Sequence, residues 1–296
     1  MNHNDLTRFE HLRVTPGTEV RLAEWDTRWL AKGGNDDTKA QSEKILAEHV
    51  KQLADTQEML WADNRYSVLL VFQGIDASGK DGTIRHVLSG VDPAGVHVVS
   101  FKEPSSEDLD HNYLWRYMKA LPEHGKIGVF NRSYYEEVVI VRVVPEALAQ
   151  RSMPDYVADD AFWQQRFDDI NGLERHLVRN GTIVVKFFLH LSKEEQKERL
   201  LDRLNEDDKH WKFSMNDLKT RGRWDDYTRA FEAMLTHTST AWAPWWVIPA
   251  DQKWAMRALV AQIVCQCIEG LELRFPPLSD AKRAELGRAR EALEKD

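Results

Sequence analysis

The chain has 296 residues, 42% hydrophobic and 30% charged, and its 40 Lys plus Arg against 48 Asp plus Glu give a formal net charge of -8. A chain of this length forms one large domain or two small ones with a full hydrophobic core. The lack of any run of about 18 apolar residues excludes a membrane-spanning helix, and the acidic balance argues against nucleic-acid or membrane-surface binding. Residues 1–5 are polar and carry no secretory apolar segment, so we expect a soluble, cytoplasmic protein.

The first predicted elements are an irregular, polar arm over residues 1–37 and an amphipathic helix from residue 38 to residue 63. A continuous apolar run at 68–72 indicates a strand that is covered on both faces, as in parallel sheets. Further strands are predicted at 96–101, 127–131, 182–191 and 245–249.

Helical patterns separate these strands and follow the last one. They fall at about 80–89, 106–120, 159–179, 192–205, 222–238 and 252–273. The alternation predicts an α/β protein with one doubly wound sheet. We expect a single domain over 38–275 and a charged, partly helical tail over 276–296.

A glycine-rich segment follows the first strand directly, and it reads Gly74-Ile75-Asp76-Ala77-Ser78-Gly79-Lys80. Its spacing is typical of a phosphate-binding loop that leads from a strand into a helix. In such a loop, backbone N–H groups and the helix dipole surround the anion, and the lysine supplies a point charge. The alternative is an ordinary turn with an exposed lysine. We expect phosphate contacts from Gly74, Ala77, Ser78, Gly79, Lys80, Asp81 and Gly82.

The loop departs from the usual pattern at two positions. Asp81 follows Lys80, where most phosphate loops have a serine or threonine that binds Mg²⁺. Asp76 lies inside the loop, where a negative side chain is unfavourable unless a cation lies between it and the phosphate. We therefore expect Asp76 to bind Mg²⁺, or Mn²⁺ as an alternative ion. Asp81 either helps to bind this ion or only interacts favourably with the dipole of the predicted helix at whose N-terminus it lies.

The third predicted strand ends in a polar run, Phe130-Asn131-Arg132-Ser133-Tyr134-Tyr135-Glu136-Glu137. In phosphate-loop enzymes a neighbouring strand usually ends in an aspartate that helps to hold the metal. Asn131 occupies that place here as a weaker, neutral ligand and stays a candidate for the phosphate and nucleotide site. Glu136 and Glu137 are therefore further metal candidates beside Asp76. Arg132 is predicted to contact phosphate, because ligands of open α/β sheets bind at the carboxyl ends of the strands. A surface ion pair with Glu136 or Glu137 is the alternative.

Residues 197–223 contain eight Lys and Arg residues against six acidic ones, which makes this stretch locally basic. Its centre, 206–214, interrupts the helical periodicity between two helices. We therefore predict a lid, over about 199–223, that brings cations to the phosphate site. A charged, solvated helix pair is the alternative. The lid candidates are Arg199, Arg203, Lys209, Lys212 and Trp211, the last as a lid anchor or a base-stacking surface.

Together these segments resemble the family-2 polyphosphate kinases. The resemblance covers residues 60–270 and rests on 74–82, 101–104, 111–116, 130–137, Arg203, 209–214 and 243–250. It implies a three-layer αβα phosphate-loop kinase fold with a five-stranded parallel sheet and a helical lid. It also implies phosphoryl transfer between inorganic polyphosphate and a nucleotide with Mg²⁺.

Asn131 and the following acidic pair resemble the subgroup that accepts both nucleoside mono- and diphosphates. This implies conversion of AMP and ADP to ADP and ATP, with guanine nucleotides as further acceptors, and a homo-oligomer, either a dimer or a tetramer. The resemblance adds Lys102, Glu137 and Arg142 on the nucleotide side. The predicted catalytic residues are Asp76, Lys80, Arg132 and Arg203.

The predicted chemistry needs no dedicated general base, because the second pKa of an acceptor phosphate is about 6. Charge neutralisation and in-line alignment of two polyanions remain for the protein to supply. Two alternatives stay open: an ATP-dependent nucleoside monophosphate kinase and a non-catalytic polyphosphate-binding module. Asp81 counts against the first, and the missing strand-end aspartate leaves room for the second.

Overall fold

The computed structural model describes residues 6–29 and 36–295, and for residues 6–8, 36, 37 and 212 it describes the backbone only. Within these residues, five strands alternate with helices. The strands are β1 (Ser67–Gln73), β2 (Val96–Ser100), β3 (Ile127–Asn131), β4 (Thr182–His190) and β5 (Trp245–Pro249). The helices are α1 (Asp36–Asp63), α2 (Lys80–Val87), α3 (Ser106–Leu109), α4 (Trp115–Met118), α5 (Ile140–Val143), α6 (Pro145–Ala149), α7 (Asp160–Arg179), α8 (Lys193–Asn205), α9 (Met215–Gly222), α10 (Trp224–Thr238), α11 (Lys253–Glu269) and α12 (Asp280–Leu293).

The five strands form one parallel sheet with the order β2-β3-β1-β4-β5. Every residue of β1, β3 and β5 is buried, because helices cover both faces of the sheet. Helices α1, α2 and α11 pack together on one side, while α5, α7 and α10 pack on the other. The predicted three-layer αβα arrangement is confirmed.

The carboxyl ends of the central strands meet at one edge of the sheet. Phe72 near the end of β1 is in register with Asn131 at the end of β3, and Gln73 with Phe188 of β4. The chain segments that follow β1, β3 and β4 therefore lie side by side. This edge is where open α/β sheets bind their ligands.

The predicted helix over 106–120 is wrong, because the chain forms two single-turn helices there, α3 and α4. Side chains compete with the helical backbone bonds between them: His111 Nδ1 contacts the Glu107 carbonyl oxygen, and Asn112 Oδ1 accepts from Leu114 N. The short helices α5 and α6 were not predicted, since neither is long enough to show a periodic apolar pattern.

The N-terminal arm is anchored to the core. Among the arm side chains that the structure describes, five apolar ones are buried: Phe9, Leu12, Val14, Val20 and Leu22. The arm also runs beside β5, because Arg13 bridges to Trp246 and Val14 N donates to the Trp245 carbonyl oxygen at 2.9 Å. Residues 1–5 and 30–35 of the predicted arm lie outside the described residues.

The C-terminal helix α12 is exposed along its whole length. Among the helices in the described part of the chain, none is both long and apolar enough to cross a membrane. The division into arm, domain and tail stays a prediction.

Candidate active site

Residues 74–79 form a tight loop between β1 and α2 that only certain residues can occupy. Gly74, Ala77 and Gly79 have positive φ angles of 149°, 65° and 99°. A Cβ atom on Gly74 would lie 2.8 Å from the carbonyl oxygen of Leu189, so the strand beside the loop leaves room for glycine alone. The loop ends at Lys80, the first residue of α2. Its backbone thus leads into a helix N-terminus, where anions are favoured.

Lys80 is the buried cation of this loop. Its Nζ donates to the carbonyl oxygens of Gly74 and Ile75, at 2.6 and 3.2 Å, and to Ser78 Oγ at 3.3 Å. Burial, and next the neighbouring Arg132, lower the pKa of Lys80 to about 8. The alternative of an exposed lysine is wrong, because only 8% of Lys80 is exposed.

Arg132 lies opposite the loop, at the end of β3. Its backbone adopts a φ of 64°, which is rare for a residue with a side chain, and its N donates to the carbonyl oxygen of Phe72 at 3.1 Å. Arg132 Nη2 donates to Asp76 Oδ1 at 2.7 Å, and Nη1 lies 3.7 Å from Glu136 Oε2. Glu136, and then Asp76, raise the pKa of Arg132. The ion pair with Glu136 therefore exists, but the guanidinium also reaches the loop.

Asp81 and Asn131, the two departures from the usual loop pattern, contact each other. Asn131 Nδ2 donates to Asp81 Oδ1 at 2.5 Å and lies 3.3 Å from Ser100 Oγ. An aspartate at position 131 would bring two carboxylates together, which is unfavourable without a cation between them. The amide of Asn131 avoids this repulsion and joins the first turn of α2 to the end of β3.

Arg199 lies beneath the loop instead of facing its interior. Its guanidinium donates to the carbonyl oxygens of Ala77 and Ser78 at 3.1 and 3.2 Å, and to those of Ala250 and Asp251 at 2.6 and 3.2 Å. Its Nε donates to Glu195 Oε1 at 2.8 Å. These five bonds use all five donors of the guanidinium. In this structure Arg199 therefore holds the loop backbone, and its predicted contact with phosphate stays a prediction.

The segment predicted as a lid brings a carboxylate to the site that the sequence did not single out. Asp217 of α9 pairs with Arg203 of α8, whose Nη1 lies 3.0 Å from Asp217 Oδ2. Burial, and next the charge of Asp76, raise the pKa of Asp217, so the two carboxylates lie close enough to interact. In the sequence Asp217 is one acid in a charged stretch, and no local signal distinguishes it.

The remaining candidates of the predicted lid lie in a 3-10 helix over Asp207–Lys212. Lys209 pairs with Glu206, and 79% of Trp211 is exposed. The side chain of Lys212 lies outside the described residues. The ion pair of Lys209 lies within residues 206–209, so the structure does not bring this candidate into contact with the phosphate loop.

Of the nucleotide-side candidates, Glu137 is enclosed in the fold. It pairs with Arg151 and with Arg166, whose Nη1 lies 3.3 Å from Glu137 Oε2, and only 2% of Glu137 is exposed. Burial raises its pKa while the two guanidinium groups oppose that effect. A carboxylate held between two arginines is not available to a metal at the loop, so Glu136 is the member of the acidic pair that faces the site.

The other two nucleotide-side candidates are Lys102, just after β2, and Arg142, on α5. Lys102 is exposed, and its carbonyl oxygen accepts from Arg116 Nη2 at 2.9 Å. Arg142 of α5 is half-buried with its guanidinium 5.5 Å from the ring centre of Trp163, and burial lowers its pKa. The structure does not bring either cation into contact with the loop.

The carboxylates around the loop fit a metal ion that is shared with phosphate. Asp76 and Glu136 flank Arg132, Asp81 lies on the first turn of α2, and Asp217 approaches from the lid. Among the described residues, no group of three or more His, Cys, Asp or Glu side chains is arranged to hold a metal by itself. Mg²⁺ commonly takes only one or two carboxylates and completes its shell with substrate phosphates and water. The donor set therefore suits such an ion.

Comparisons with known proteins agree with this geometry. The family model of polyphosphate kinase 2 matches residues 36–276. The chain is 46% identical to the ADP-polyphosphate phosphotransferase of Rhodopseudomonas palustris, over 96% of this chain and 98% of that protein. It is 42% identical to the AMP/ADP-polyphosphate phosphotransferase of Meiothermus ruber, over 89% of this chain and 94% of that protein.

A solved structure shows the same fold. The crystal structure of polyphosphate kinase 2 from Arthrobacter aurescens TC1 matches with a TM-score of 0.83 and 38% identity, and the match covers 94% of this chain and 96% of that one. The phosphotransferases of this family are kinases that generally need a divalent metal ion. On its sequence and its fold, the chain belongs to the polyphosphate kinase 2 family.

Proposed function

We propose that this protein transfers phosphoryl groups between inorganic polyphosphate and nucleotides. One observation carries the proposal: the buried Lys80 of the phosphate loop and Arg132 of the next strand meet at one sheet edge, in a chain that belongs to the polyphosphate kinase 2 family. The related proteins named above support the same reaction. In the forward direction the terminal P–O–P bond of polyphosphate breaks, a new P–O–P bond forms on the nucleotide, and the polymer becomes one unit shorter.

The acceptors that we propose are nucleoside mono- and diphosphates, so that AMP gives ADP and ADP gives ATP. The two curated relatives support this range, since one is named for ADP and the other for AMP and ADP. Guanine nucleotides belong to the same proposal, because they carry the same phosphate groups.

Lys80 and the loop N–H groups bind the transferring phosphoryl group in this mechanism, and Arg132 binds an adjacent phosphate. The acceptor oxygen is already deprotonated near pH 7, so no general base is required. The protein has to align the two polyanions and offset their repulsion, which are the main demands of phosphoryl transfer. Gln196 and Arg199 hold the loop backbone in place through the carbonyl oxygens of Asp76, Ala77 and Ser78.

We propose Mg²⁺ as the metal, with Mn²⁺ as an alternative, held by Asp76 together with phosphate oxygens. Asp81, Glu136 and Asp217 are the other carboxylates within the same cluster of charges. When bound, the ion neutralises phosphate charge and orients the phosphate oxygens. Arg203, Lys209 and Lys212 are proposed to contact polyphosphate, and Lys102 and Arg142 the nucleotide.

The decisive assay incubates the purified protein with AMP or ADP, long-chain polyphosphate and Mg²⁺, without added ATP. We expect ADP and ATP to form. Phosphorylation of AMP by ATP with no use of polyphosphate would instead indicate a nucleoside monophosphate kinase. Polyphosphate binding without turnover would indicate a non-catalytic module. The same assay with GMP, GDP and Mn²⁺ tests the acceptor and metal ranges.

Lys80→Ala and Asp76→Ala are each expected to lower kcat by roughly 100-fold or more, the scale of lost electrostatic contacts in active sites. The matched control is Lys282→Ala, which removes an exposed lysine of α12 and is expected to leave kcat unchanged. Near-normal rates in either loop variant would contradict the roles proposed for these two residues.

A further inference from the structure

A fully buried ion pair lies behind the turn that carries Arg132. Lys186, in the middle of β4, and Glu174, on α7, are both 0% exposed, and Lys186 Nζ lies 2.7 Å from Glu174 Oε2. Burial lowers the pKa of Lys186, which shows that the protein interior disfavours its charge. Neither residue takes part in the chemistry proposed above, so the pair needs another explanation.

The pair is completed by two tyrosines of that turn. Tyr134 OH and Tyr135 OH both donate to Glu174 Oε1, at 2.9 and 2.6 Å. Lys186 Nζ also donates to Tyr135 OH at 2.8 Å and to the carbonyl oxygen of Thr238 at 2.7 Å. The ammonium group therefore has all three of its donors used, and the carboxylate accepts three bonds.

Stability alone does not account for this arrangement. Replacing a buried ion pair with apolar side chains of similar volume is often neutral or stabilising, because the desolvation of both charges is avoided. A complete buried polar network does, however, fix the groups that it contains in one arrangement. The groups fixed here are the side chains of Tyr134 and Tyr135, which follow Arg132 at a distance of two and three residues.

The turn is also fixed on its other side. Gln73 Nε2, at the end of β1, donates to Ser133 Oγ at 3.2 Å, and Ser133 Oγ accepts from Tyr135 N at 3.3 Å. Arg132 itself has the unusual φ of 64°, which the surrounding contacts must maintain. While these contacts fix the turn on both sides, Arg132 Nη2 lies 2.7 Å from Asp76 Oδ1 of the phosphate loop.

We propose that Glu174 and Lys186 are positioning residues for phosphoryl transfer, which act through Tyr134 and Tyr135 to hold the Arg132 guanidinium at the phosphate loop. The proposal rests on the function proposed above, and in particular on Arg132 binding phosphate. Displacements of about 1 Å at a reacting centre can reduce turnover by two orders of magnitude. A buried network that prevents such a displacement therefore has a catalytic effect without touching the substrate.

The test is a double-mutant cycle between Glu174→Gln and Arg132→Ala. The Kd of inorganic tripolyphosphate, measured by calorimetry, and the kcat with ADP and polyphosphate are determined for all four proteins. We expect Glu174→Gln alone to weaken binding and lower kcat by roughly tenfold. In the Arg132→Ala background the same substitution is expected to change the Kd by less than about twofold, because the group that it positions is absent.

Two further variants keep the result interpretable. Tyr134→Phe removes one hydroxyl from the network and is expected to act in the same direction, and Glu174→Gln with Lys186→Met removes both charges if the single change prevents folding. The control is Ser67→Ala, which deletes a buried hydrogen bond to Thr182 at the opposite end of β1 and should leave kcat unchanged.

An equal fold-change of Glu174→Gln with and without Arg132 would overturn the proposal, because it would mean a general loss of structure. An unchanged kcat and Kd in folded Glu174→Gln would also overturn it. If the unaltered protein transfers no phosphoryl group, it is the proposed function that fails, whereas the calorimetric cycle still tests the positioning of Arg132.

Discussion

At the scale of single residues, the fold changes the pKa of Lys80, the cation of the phosphate loop. An exposed lysine has a pKa near 10.4 and is always charged near neutrality. Burial inside the loop and the nearby Arg132 lower the pKa of Lys80 to about 8, while Asp76, Glu136 and Asp81 limit the effect. The loop therefore holds a cation whose proton is lost within an accessible pH range.

The resulting prediction concerns the pH dependence of catalysis. Lys80 is charged below its pKa and neutral above it, so kcat/KM, which reports the free enzyme, should fall as the pH rises above about 8. Bound phosphate favours the charged form, so the corresponding fall in kcat should lie at higher pH. Steady-state kinetics between pH 6 and about 10 test this, and a kcat/KM that stays constant to the upper end would contradict it.

At the scale of the elements, the site is held by segments that are distant in the sequence. Helix α8 supports the phosphate loop through Gln196 and Arg199, and Arg199 also binds the carbonyl oxygens that follow β5. Asp251, just after β5, accepts hydrogen bonds from Thr27 of the arm and from the backbone N of Ser192 before α8. The arm is therefore linked to the elements that carry the site.

A prediction about the arm follows from its burial. Phe9 is 1% exposed, so Phe9→Ala should lower the free energy of unfolding by about 3–5 kcal/mol, the usual cost of deleting a buried phenyl ring. Denaturant unfolding measures this change. Leu293→Ala, in the exposed α12, is the control and should change the same quantity by less than about 0.5 kcal/mol. Equal small effects would mean that the arm contributes little to the fold.

At the scale of the whole molecule, a protein of net charge -8 has to bind two polyanions. The structure places Lys80 and Arg132 at one loop, among the carboxylates of Asp76, Asp81 and Glu136, and it pairs Arg203 with Asp217. We therefore expect local cations, and not the overall charge, to control the binding of phosphate. Such attraction is weakened by salt, and the effect is largest for a polymer with a condensed layer of counterions.

We expect the KM for long-chain polyphosphate to rise roughly tenfold between about 0.05 and 0.2 M KCl, while the KM for ADP rises much less. The melting temperature measured in the same buffers serves as the control and should stay constant. Equal salt sensitivity of the two KM values would argue against a polymer bound mainly by charge.

Local patterns in the sequence determined the elements and the chemistry of the loop. All five strands occur within one or two residues of their predicted positions. For the fully buried β1, β3 and β5, the reason is that an apolar run is a local property of a strand covered on both faces. The spacing of Gly74, Gly79 and Lys80 identified the phosphate loop for a similar reason: its backbone conformation depends on neighbours in the chain. The same spacing, together with the motifs later in the chain, also indicated the polyphosphate kinase 2 family.

Only the tertiary structure decided how distant residues meet. It determined the strand order and enclosed Glu137 between two arginines. It also placed Asp217 near Asp76 and made Arg199 donate to the loop backbone at Ala77, which is 122 positions away in the chain. It also revealed the buried pair of Lys186 and Glu174 behind the Arg132 turn. The physical reason is that a charged side chain has the same local sequence signal whether it binds substrate or holds a backbone, and packing alone determines which partner it reaches.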